Sequence, residues 1–564
     1  MSKILGIHQS GPISSAALII NGQIIAAAPE ERFTRVKQDS SFPRNSIDFC
    51  LSEADLDFSE LDIIAVGWNP GINVALRKRP QMEKSWYPGQ WLSAVPNFLL
   101  PGRVSDVRST SQVFTDSIGA QTRIEYFNHH DCHAYLAFKL SKFPDAAIAV
   151  VDGFGEQSCT TLYKAEGDEL TKLSEIVFPQ SIGMFYSTIT DFLGYRPFSD
   201  EWRVMGMAAY GDPNSHSKLD DLITVESDGS YSLDLSFFDF YNFDRPSFYS
   251  PKFIENFGPP RIFGGELSQS HFDMAAAAQR VFSRVMQHIL LSLHEQTGLE
   301  RLCLAGGSAM NSLFNGKIKK LTPFEDVFVG FSPDDSGNSI GAALLASKKL
   351  GLTPSLGLIT SHLGPEYSDS EIRKKLELFK VRFDEVDNFH EIVAQLLAEG
   401  NIVGWFHGRS EFGQRALGGR SIIAAATSRD MKDRINSAVK YRESYRPFAP
   451  VCLEEDIDSL MHTHGHKQIR FMEMALDWKE GERRFPAVVH QDGTGRVQTV
   501  GPEPEHPLRK LLEKYKELTT LPVLLNTSFN LNDEPIVNTP DQAIRTFFSS
   551  GIDVLSIGRF IVLK

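Results

Sequence analysis

Cysteine is scarce in this sequence: five residues in 564, none of them spaced as a CxxC pair. Cys50, Cys132, Cys159, Cys303 and Cys452 are scattered and odd in number, which argues against a disulfide framework and leaves buried thiols as their reading. No run of about eighteen uncharged apolar residues occurs, so no membrane-spanning helix and no membrane partner are expected. The N-terminal stretch MSKILGIHQSGPISS lacks the basic start, apolar centre and small-residue cleavage site of a signal peptide, and a cytoplasmic location is the expectation. Low-complexity tracts are also missing. Positive charge is in deficit, 57 Lys+Arg against 71 Asp+Glu for a formal net charge of −14, which counts against nucleic acid as the main partner. Local basic pockets for phosphates stay compatible with that balance.

What is present is a chain too long for one hydrophobic core, so two to four domains are expected. Lys3 to Ile7 is a short apolar strand, followed by the turn-rich stretch Gln9 to Ser15 and a second strand, Ala16 to Ile20. Asn21-Gly22 supplies the positive φ values of a tight hairpin into a third strand, Gln23 to Ala28. The same grammar returns at Ala146 to Val151, the turn Asp152-Gly153-Phe154-Gly155-Glu156, and Ser158 to Tyr163, as a duplicated nucleotide-binding fold would show. Phe272 to Glu295 reads as a long helix with Asp273 in its first turn. It leads into a buried strand, Arg301 to Ala305, and the turn Gly306-Gly307-Ser308. Gly351 to Pro365, rich in Gly, Pro, Ser and Thr, reads as an interdomain linker, giving domains over residues 1–355 and 366–564. Beyond it, Asp369 to Leu378 and Phe389 to Glu399 have helical spacing, and Ile402 to Phe406, Pro522 to Leu525 and Phe560 to Leu563 read as strands.

His129 and His133 stand four apart, so on a helix both imidazoles project from one face and can share a metal ion. Asp152, at a strand end, and Asp335, in Ser332-Pro333-Asp334-Asp335, would complete a nitrogen and oxygen shell suited to iron, zinc or manganese. An isolated HxxxH also reads as core histidines satisfied by hydrogen bonds. Gly306-Gly307 and Gly153-Phe154-Gly155, at strand ends, let backbone amides approach an anion, or are simply turns.

In the C-terminal part, Gly408 to Ser421 concentrates Arg409, Arg415 and Arg420 among glycines, and Lys440, Arg442 and Arg446 follow. Planar guanidinium groups grip phosphate or carboxylate with paired hydrogen bonds, so this local excess of cations reads as an anion pocket. Asn526-Thr527-Ser528, at the end of a strand, brings amide and hydroxyl groups to the same ligand. The alternative is a solvated, salt-bridged face.

Taken in order, Glu30-Glu31-Arg32-Phe33, His129 to His133, Val151-Asp152-Gly153, Met205 to Gly211, Ala305-Gly306-Gly307, Gly413 to Gly418, Arg446 to Pro450 and Leu525 to Asn530 resemble the O-carbamoyltransferases of nodulation-factor and antibiotic biosynthesis, the NodU/CmcH type. The resemblance covers essentially the whole chain. It implies an α/β protein with an N-terminal actin-like ATPase domain (a duplicated ribonuclease-H-like fold) and a C-terminal YrdC-like domain. By the resemblance, the C-terminal domain makes carbamoyl-adenylate from carbamoyl phosphate and ATP. The N-terminal domain then passes the carbamoyl group to a small-molecule hydroxyl acceptor beside a bound Fe(2+), with Mg(2+) accompanying the nucleotide. It assigns His129, His133, Asp152 and Asp335 to the metal, and Arg415, Lys440 and Arg496 to the chemistry on carbamoyl phosphate. Gly153, Gly155, Gly306, Gly307, Asn311, Arg446, Asn526, Thr527 and Ser528 become nucleotide or co-substrate contacts.

One departure matters. The family carries His-Asp in the first glycine-rich turn, where this chain has Pro12 and Ile13, neither able to move a proton. His8 lies in the same turn, and reads equally as a substitute base or as a structural residue. Arg203 replaces a family lysine and keeps the charge. Two other readings stay open: a tRNA threonylcarbamoyl-type modifier, and a nucleotide-binding scaffold without transfer activity. Trp86 to Leu100 and Ser236 to Pro259, rich in aromatics, are candidates for shaping the acceptor site. Dimers are the commonest assembly of soluble enzymes, so a homodimer is the default expectation.

Overall fold

The computed structural model describes residues 2–9, 11–69, 72, 111–115, 121–242, 246–352, 354, 357, 359–443, 445–466 and 468–564; the segment Trp86 to Leu100 and residues 243–245 of the second aromatic stretch lie outside them. The chain divides into two compact units. One comprises Met1–Glu30, Gln38–Asn311 and Ile318–Ile359, the other Glu31–Lys37, Ser312–Lys317 and Thr360–Lys564. Among the described residues no helix is long and apolar enough to cross a membrane.

The first unit contains two sheets built on one plan. Strands β1 (Lys3–His8), β2 (Ser15–Ile20) and β3 (Gln23–Pro29) form an antiparallel meander, and β4 (Ile63–Val66) and β6 (Gln121–Tyr126) add parallel to β1; β5 (Ser111–Thr115) closes the order β3-β2-β1-β4-β6-β5. Strands β7 (Asp145–Val151), β8 (Ser158–Glu166) and β9 (Glu169–Val177) repeat the meander, and β12 (Arg301–Ala305) and β13 (Asp326–Val329) add parallel to β7. The second order, β13-β12-β7-β8-β9, is the first one over again, so the first unit carries the duplicated ribonuclease-H-like arrangement that the resemblance implies. A separate hairpin, β10 (Ile223–Val225) and β11 (Tyr231–Leu233), stands outside both sheets.

Local chemistry explains the framework. Asn21 (φ 51°) and Gly22 (φ 79°) make the tight β2–β3 turn. In each repeat a helix follows the last parallel strand: His129–Ser141 after β6, and Asn338–Lys349 after β13. The two helices pack through Gly341, where an added Cβ would lie 2.3 Å from the Cys132 carbonyl oxygen. Gly6 plays the same part on β1, its absent Cβ falling 1.9 Å from the Ser339 carbonyl oxygen. The long helix spans Gln269–Thr297 and starts earlier than its apolar spacing suggests, because Ser268 and His271 cap it reciprocally. Asp273 is therefore past the first turn, and its carboxylate instead accepts from the Asp212 amide.

The second unit is also α/β. Its eight-stranded sheet runs β14-β23-β22-β15-β16-β21-β17-β20, with β14 (Asp384–Glu385), β15 (Val403–Phe406), β16 (Arg420–Ala425), β17 (Ala449–Leu453), β20 (Gln498–Val500), β21 (Val523–Ser528), β22 (Val554–Ile557) and β23 (Phe560–Leu563). A hairpin of β18 (Ala475–Asp477) and β19 (Thr494–Arg496) adjoins it in sequence. Helices Phe389–Ala398 and Arg509–Thr519 bury Val393, Leu397, Leu511 and Tyr515 in one core with Trp405 and Leu524 of the sheet. Segment Ser312–Lys317 is tied in by the Asn315 amide on the Glu473 carbonyl (2.9 Å) and by the close approach of Gly316 to Ala475.

Because Gly341 has no room for a side chain, Gly341→Ala should lower the unfolding free energy by about 2 kcal/mol or more. Gly330→Ala, whose Cβ meets the Leu140 Cδ1 at 3.4 Å and the Phe328 Cε1 at 3.8 Å, both ordinary contacts, should stay within about 0.5 kcal/mol of the parent. Denaturant melts of both variants check this.

Candidate functional site

The parallel strands of the first unit deliver their C-terminal ends to one place, and four side chains from distant parts of the chain meet there. His129 opens the helix after β6, His133 stands one turn on, Asp152 follows β7, and Asp335 precedes the helix after β13. All four are nearly or wholly withdrawn from solvent. His129 Nε2 lies 3.1 Å from His133 Nε2, 3.2 Å from Asp152 Oδ2 and 3.3 Å from Asp335 Oδ1; His133 Nε2 lies 3.3 and 3.6 Å from the same two oxygens. Ligands held about 2.0–2.1 Å from one tetrahedral ion are about 3.3 Å apart, so the donor set fits a divalent metal of the borderline class. Burial pulls His129 down, yet the charges of Asp335 and Asp152 outweigh it and lift the imidazole well above its ordinary value. Burial and the Asp152 charge push Asp335 up, but His129 and His133 more than offset them and hold it at about 2.

The surrounding groups fix these ligands. Asp152 Oδ1 accepts from the Gly153 amide (2.8 Å) and the Gly307 amide (3.2 Å), so the glycine turn after β12 braces the ligand after β7. Gly306 (φ 87°) permits that approach, its Cβ position lying 2.3 Å from the Val151 carbonyl oxygen. Gly155 lies against the rings of His129 and His130, with 3.2–3.3 Å to an added Cβ. Asn311 exchanges amide hydrogen bonds with Gln279 at 2.9 and 3.1 Å.

His8, the last residue of β1, is buried beside the cluster. Its Nε2 is 3.8 Å from Asp335 Oδ2, and neither ring nitrogen has a hydrogen-bond partner among the described residues. Burial, reinforced by the neighbouring histidines, pushes it down to about 3, so the imidazole is neutral. Gly11 leaves the space for this arrangement: a Cβ there would stand 1.9 Å from Asp335 Oδ2.

In the second unit the polar groups gather at the end of β21. Lys440 closes a single π turn, Asn436–Lys440, and its ammonium donates to Ser528 O (2.5 Å) and Oγ (3.3 Å) and to Asn530 O (3.0 Å) and Oδ1 (2.7 Å). None of these acceptors is a carboxylate. Burial, then the charges of Arg442, Arg446 and Lys37, drive Lys440 well below its ordinary value. Asn526 ties the strand to the Arg415 loop, donating to the Ala416 carbonyl (3.1 Å) and to Gln498 Oε1 (2.7 Å). Arg496 is pushed down by burial and then by the charge of Arg415, and its Nε has no hydrogen-bond partner among the described residues. Arg446 reaches Asn532 at 3.4 Å, and Thr527 is half-buried on β21.

Two arginines of the expected cationic group are engaged elsewhere. Arg420, fully buried over the Phe406 ring, donates to the carbonyls of His407, Gly408, Gly419 and Pro365, and Arg409 donates to the Leu363 carbonyl. Glu411 gathers the amides of Leu417, Gly419 and Arg420 on one oxygen and so shapes the loop that carries Arg415. Arg32 does related work that charge patterning did not signal: it is fully buried, pairs with Glu31 at 2.6 Å and donates to the Gly413 carbonyl at 2.7 Å. Its sequence cue is the Glu-Glu-Arg-Phe motif, which carried no assigned role.

The family model described as carbamoyltransferase N-terminus matches residues 3–344, and that described as carbamoyltransferase C-terminus matches residues 394–564. Nodulation protein NolNO of Sinorhizobium fredii is 35% identical over 557 residues, covering 98% of this chain and 78% of its own. Nodulation protein NolO of Bradyrhizobium diazoefficiens is 36% identical over 444 residues, 78% of this chain and 79% of its own. Component A of the (R)-2-hydroxyglutaryl-CoA dehydratase of Acidaminococcus fermentans aligns in structure at 14% identity and a TM-score of 0.34, over 62% of this chain and all of that one.

A pH dependence is built into the second unit. Glu473 is buried, accepts from the Phe471 amide at 2.7 Å, and is pushed up to about 8 by burial, which its backbone donors and Arg470 offset only in part. A raised carboxyl stabilises the fold fully below its unfolded value, and that contribution is lost as pH rises through 8. Glu473→Gln should therefore match the parent near pH 5 and gain on it by on the order of 1 kcal/mol per pH unit up to pH 8. Thermal melts at a series of pH values measure the difference.

Proposed function

This chain belongs to the carbamoyltransferase family and is a transferase enzyme, and on that premise we propose that its second unit makes carbamoyl-adenylate while its first passes the carbamoyl group to a hydroxyl of a small-molecule secondary metabolite. The observations that support the reading are two: Arg496 is buried near enough to Arg415 to feel its charge, and Lys440, at the end of β21, is held by the neutral oxygens of Ser528 and Asn530. Buried cations whose charge is driven down by burial and by one another are stabilised by a polyanion. Carbamoyl phosphate and ATP are both polyanions. Holding them together needs fixed cations before in-line attack can occur.

The proposed sequence balances in three steps. Water and carbamoyl phosphate give carbamate and phosphate; carbamate attacks the α-phosphorus of ATP, accompanied by Mg(2+), giving carbamoyl-adenylate and pyrophosphate; the acceptor alcohol then takes the carbamoyl group and releases AMP. Arg415 and Arg496 hold the phosphate oxygens, and Lys440 neutralises charge developing on the leaving group. Asn526, Thr527, Ser528 and Arg446 orient the co-substrates.

In the first unit, His129, His133, Asp152 and Asp335 would hold Fe(2+), which when bound supplies a Lewis acid for a carbamoyl or phosphate oxygen. The Gly153–Gly155 and Gly306-Gly307 turns, with Asn311, border the side assigned to the adenylate; the amides of these four glycines are donated to Asp152, Ser158 and Pro333, so the turns shape that side and do not bind the anion through those amides. His8, at the end of β1 beside the cluster, is the candidate to stand in for the missing acid–base pair. With its value near 3 it serves better as a hydrogen-bond acceptor that orients the alcohol than as a strong base.

Incubation with carbamoyl phosphate and labelled ATP should release pyrophosphate. Arg496→Ala and Lys440→Ala should lower that release by about 100-fold or more, while His133→Ala leaves it within about threefold. Folded wild-type protein that releases no pyrophosphate, or an Arg496 variant that matches it, would overturn the proposal.

A further inference from the structure

Glu156 is absent from every ligand set described so far, yet it accepts from the amide that opens the helix carrying both histidines. Its Oε1 accepts from the His129 amide at 2.9 Å and from the Asn69 amide at 2.6 Å, and its Oε2 lies 3.2 Å from the His129 amide. It is buried, at 4% exposure. The first amides of a helix need acceptors that the helix itself cannot supply. Here the N-cap residue, Asn128, makes no side-chain cap; its side-chain Nδ2 donates to Asp131 Oδ2 at 3.1 Å and its Oδ1 accepts from Asn69 Nδ2 at 3.0 Å. The acceptor comes instead from the other structural repeat, in the turn between β7 and β8.

That turn also carries Asp152. It is closed by the Asp152 amide on the Cys159 carbonyl (2.8 Å) and the Gly155 amide on the Ser158 carbonyl (2.7 Å), so the two acids are held at a set separation. Gly155, between them, lies directly on the His129 ring. One rigid turn thus fixes the backbone of His129 through Glu156 and presents Asp152 Oδ2 to the same residue's Nε2 at 3.2 Å. A carboxylate at the positive end of a helix is favoured electrostatically as well.

We propose that Glu156 is the positioning residue of the metal site: it clamps the start of the helix His129–Ser141 to the Asp152 turn and so sets the distance between ligands that come from the two repeats. The inference rests on the reading of His129, His133, Asp152 and Asp335 as metal ligands. It concerns affinity and geometry for the ion, and no step of carbamoyl transfer.

The test is an optical titration of the metal-free full chain with Co(2+), whose absorption reports both affinity and coordination geometry. Glu156→Gln retains an oxygen for the His129 and Asn69 amides and should bind within about threefold of the wild type. Glu156→Asp keeps the charge but withdraws the carboxylate by one methylene, and Glu156→Ala removes it; both should bind ten- to a hundredfold more weakly, with an altered spectrum. Affinities of the Asp and Ala variants within twofold of wild type, in folded protein, would overturn the proposal. If the Ala variant does not fold, the contrast between Gln and Asp decides it in the same way. Failure of the wild type itself to bind Co(2+) would instead overturn the metal reading on which the inference rests.

Discussion

Two imidazole nitrogens and two carboxylate oxygens converge in the first unit at separations of 3.1–3.6 Å, with both histidines and Asp152 buried and Asp335 largely so. Such a set is tolerated only with a cation among its members, whether protons or a metal ion, because burial leaves little water to screen the carboxylates from each other. Much of the local architecture serves this convergence. The duplicated sheet order brings the ends of β6, β7 and β13 together, and Gly341 brings their helices close enough for ligands to meet. The Gly306-Gly307 turn and Glu156 then restrain the two sides of the cluster through backbone amides.

The second unit solves the opposite electrostatic problem. Lys440 lies among neutral oxygens and Arg496 beside the charge of Arg415, while Arg446 pairs with Glu443 at 3.5 Å; in the proposed reading the first two face the anionic substrates. The distinction between its arginines is physical. Arg420 and Arg409 donate to backbone carbonyls and build the loop, whereas Arg496 is buried beside the charge of Arg415. Arg32 and Glu411 both bond to the backbone of the loop that carries Arg415, Arg32 at the Gly413 carbonyl and Glu411 at the Leu417 amide.

How much of this could be read from the sequence depends on the kind of interaction. The first hairpin was legible because Asn21-Gly22 demands a particular turn, and the histidine pair because a spacing of four places both rings on one helix face. The duplicated plan was visible only as a weak echo in strand and turn order; the matching sheet orders establish it. Glu156 and Arg32 were not legible as supports, since a side chain that binds a backbone amide or carbonyl leaves no periodic trace. The long helix began earlier than Asp273 suggested because its cap uses His271 where the usual pattern has an acid or amide. Arg409 and Arg420 show the limit of charge patterning, which cannot separate a cation facing a ligand from one spent on carbonyls.

The account divides the chemistry between two independent groups of residues, and incorporation of labelled pyrophosphate into ATP tests that division most directly. With carbamoyl phosphate present and iron removed by a selective chelator in excess Mg(2+), exchange should proceed at the rate of the untreated protein, and it should stop when carbamoyl phosphate is withheld. Exchange that needs the iron, or that continues without carbamoyl phosphate, would contradict it.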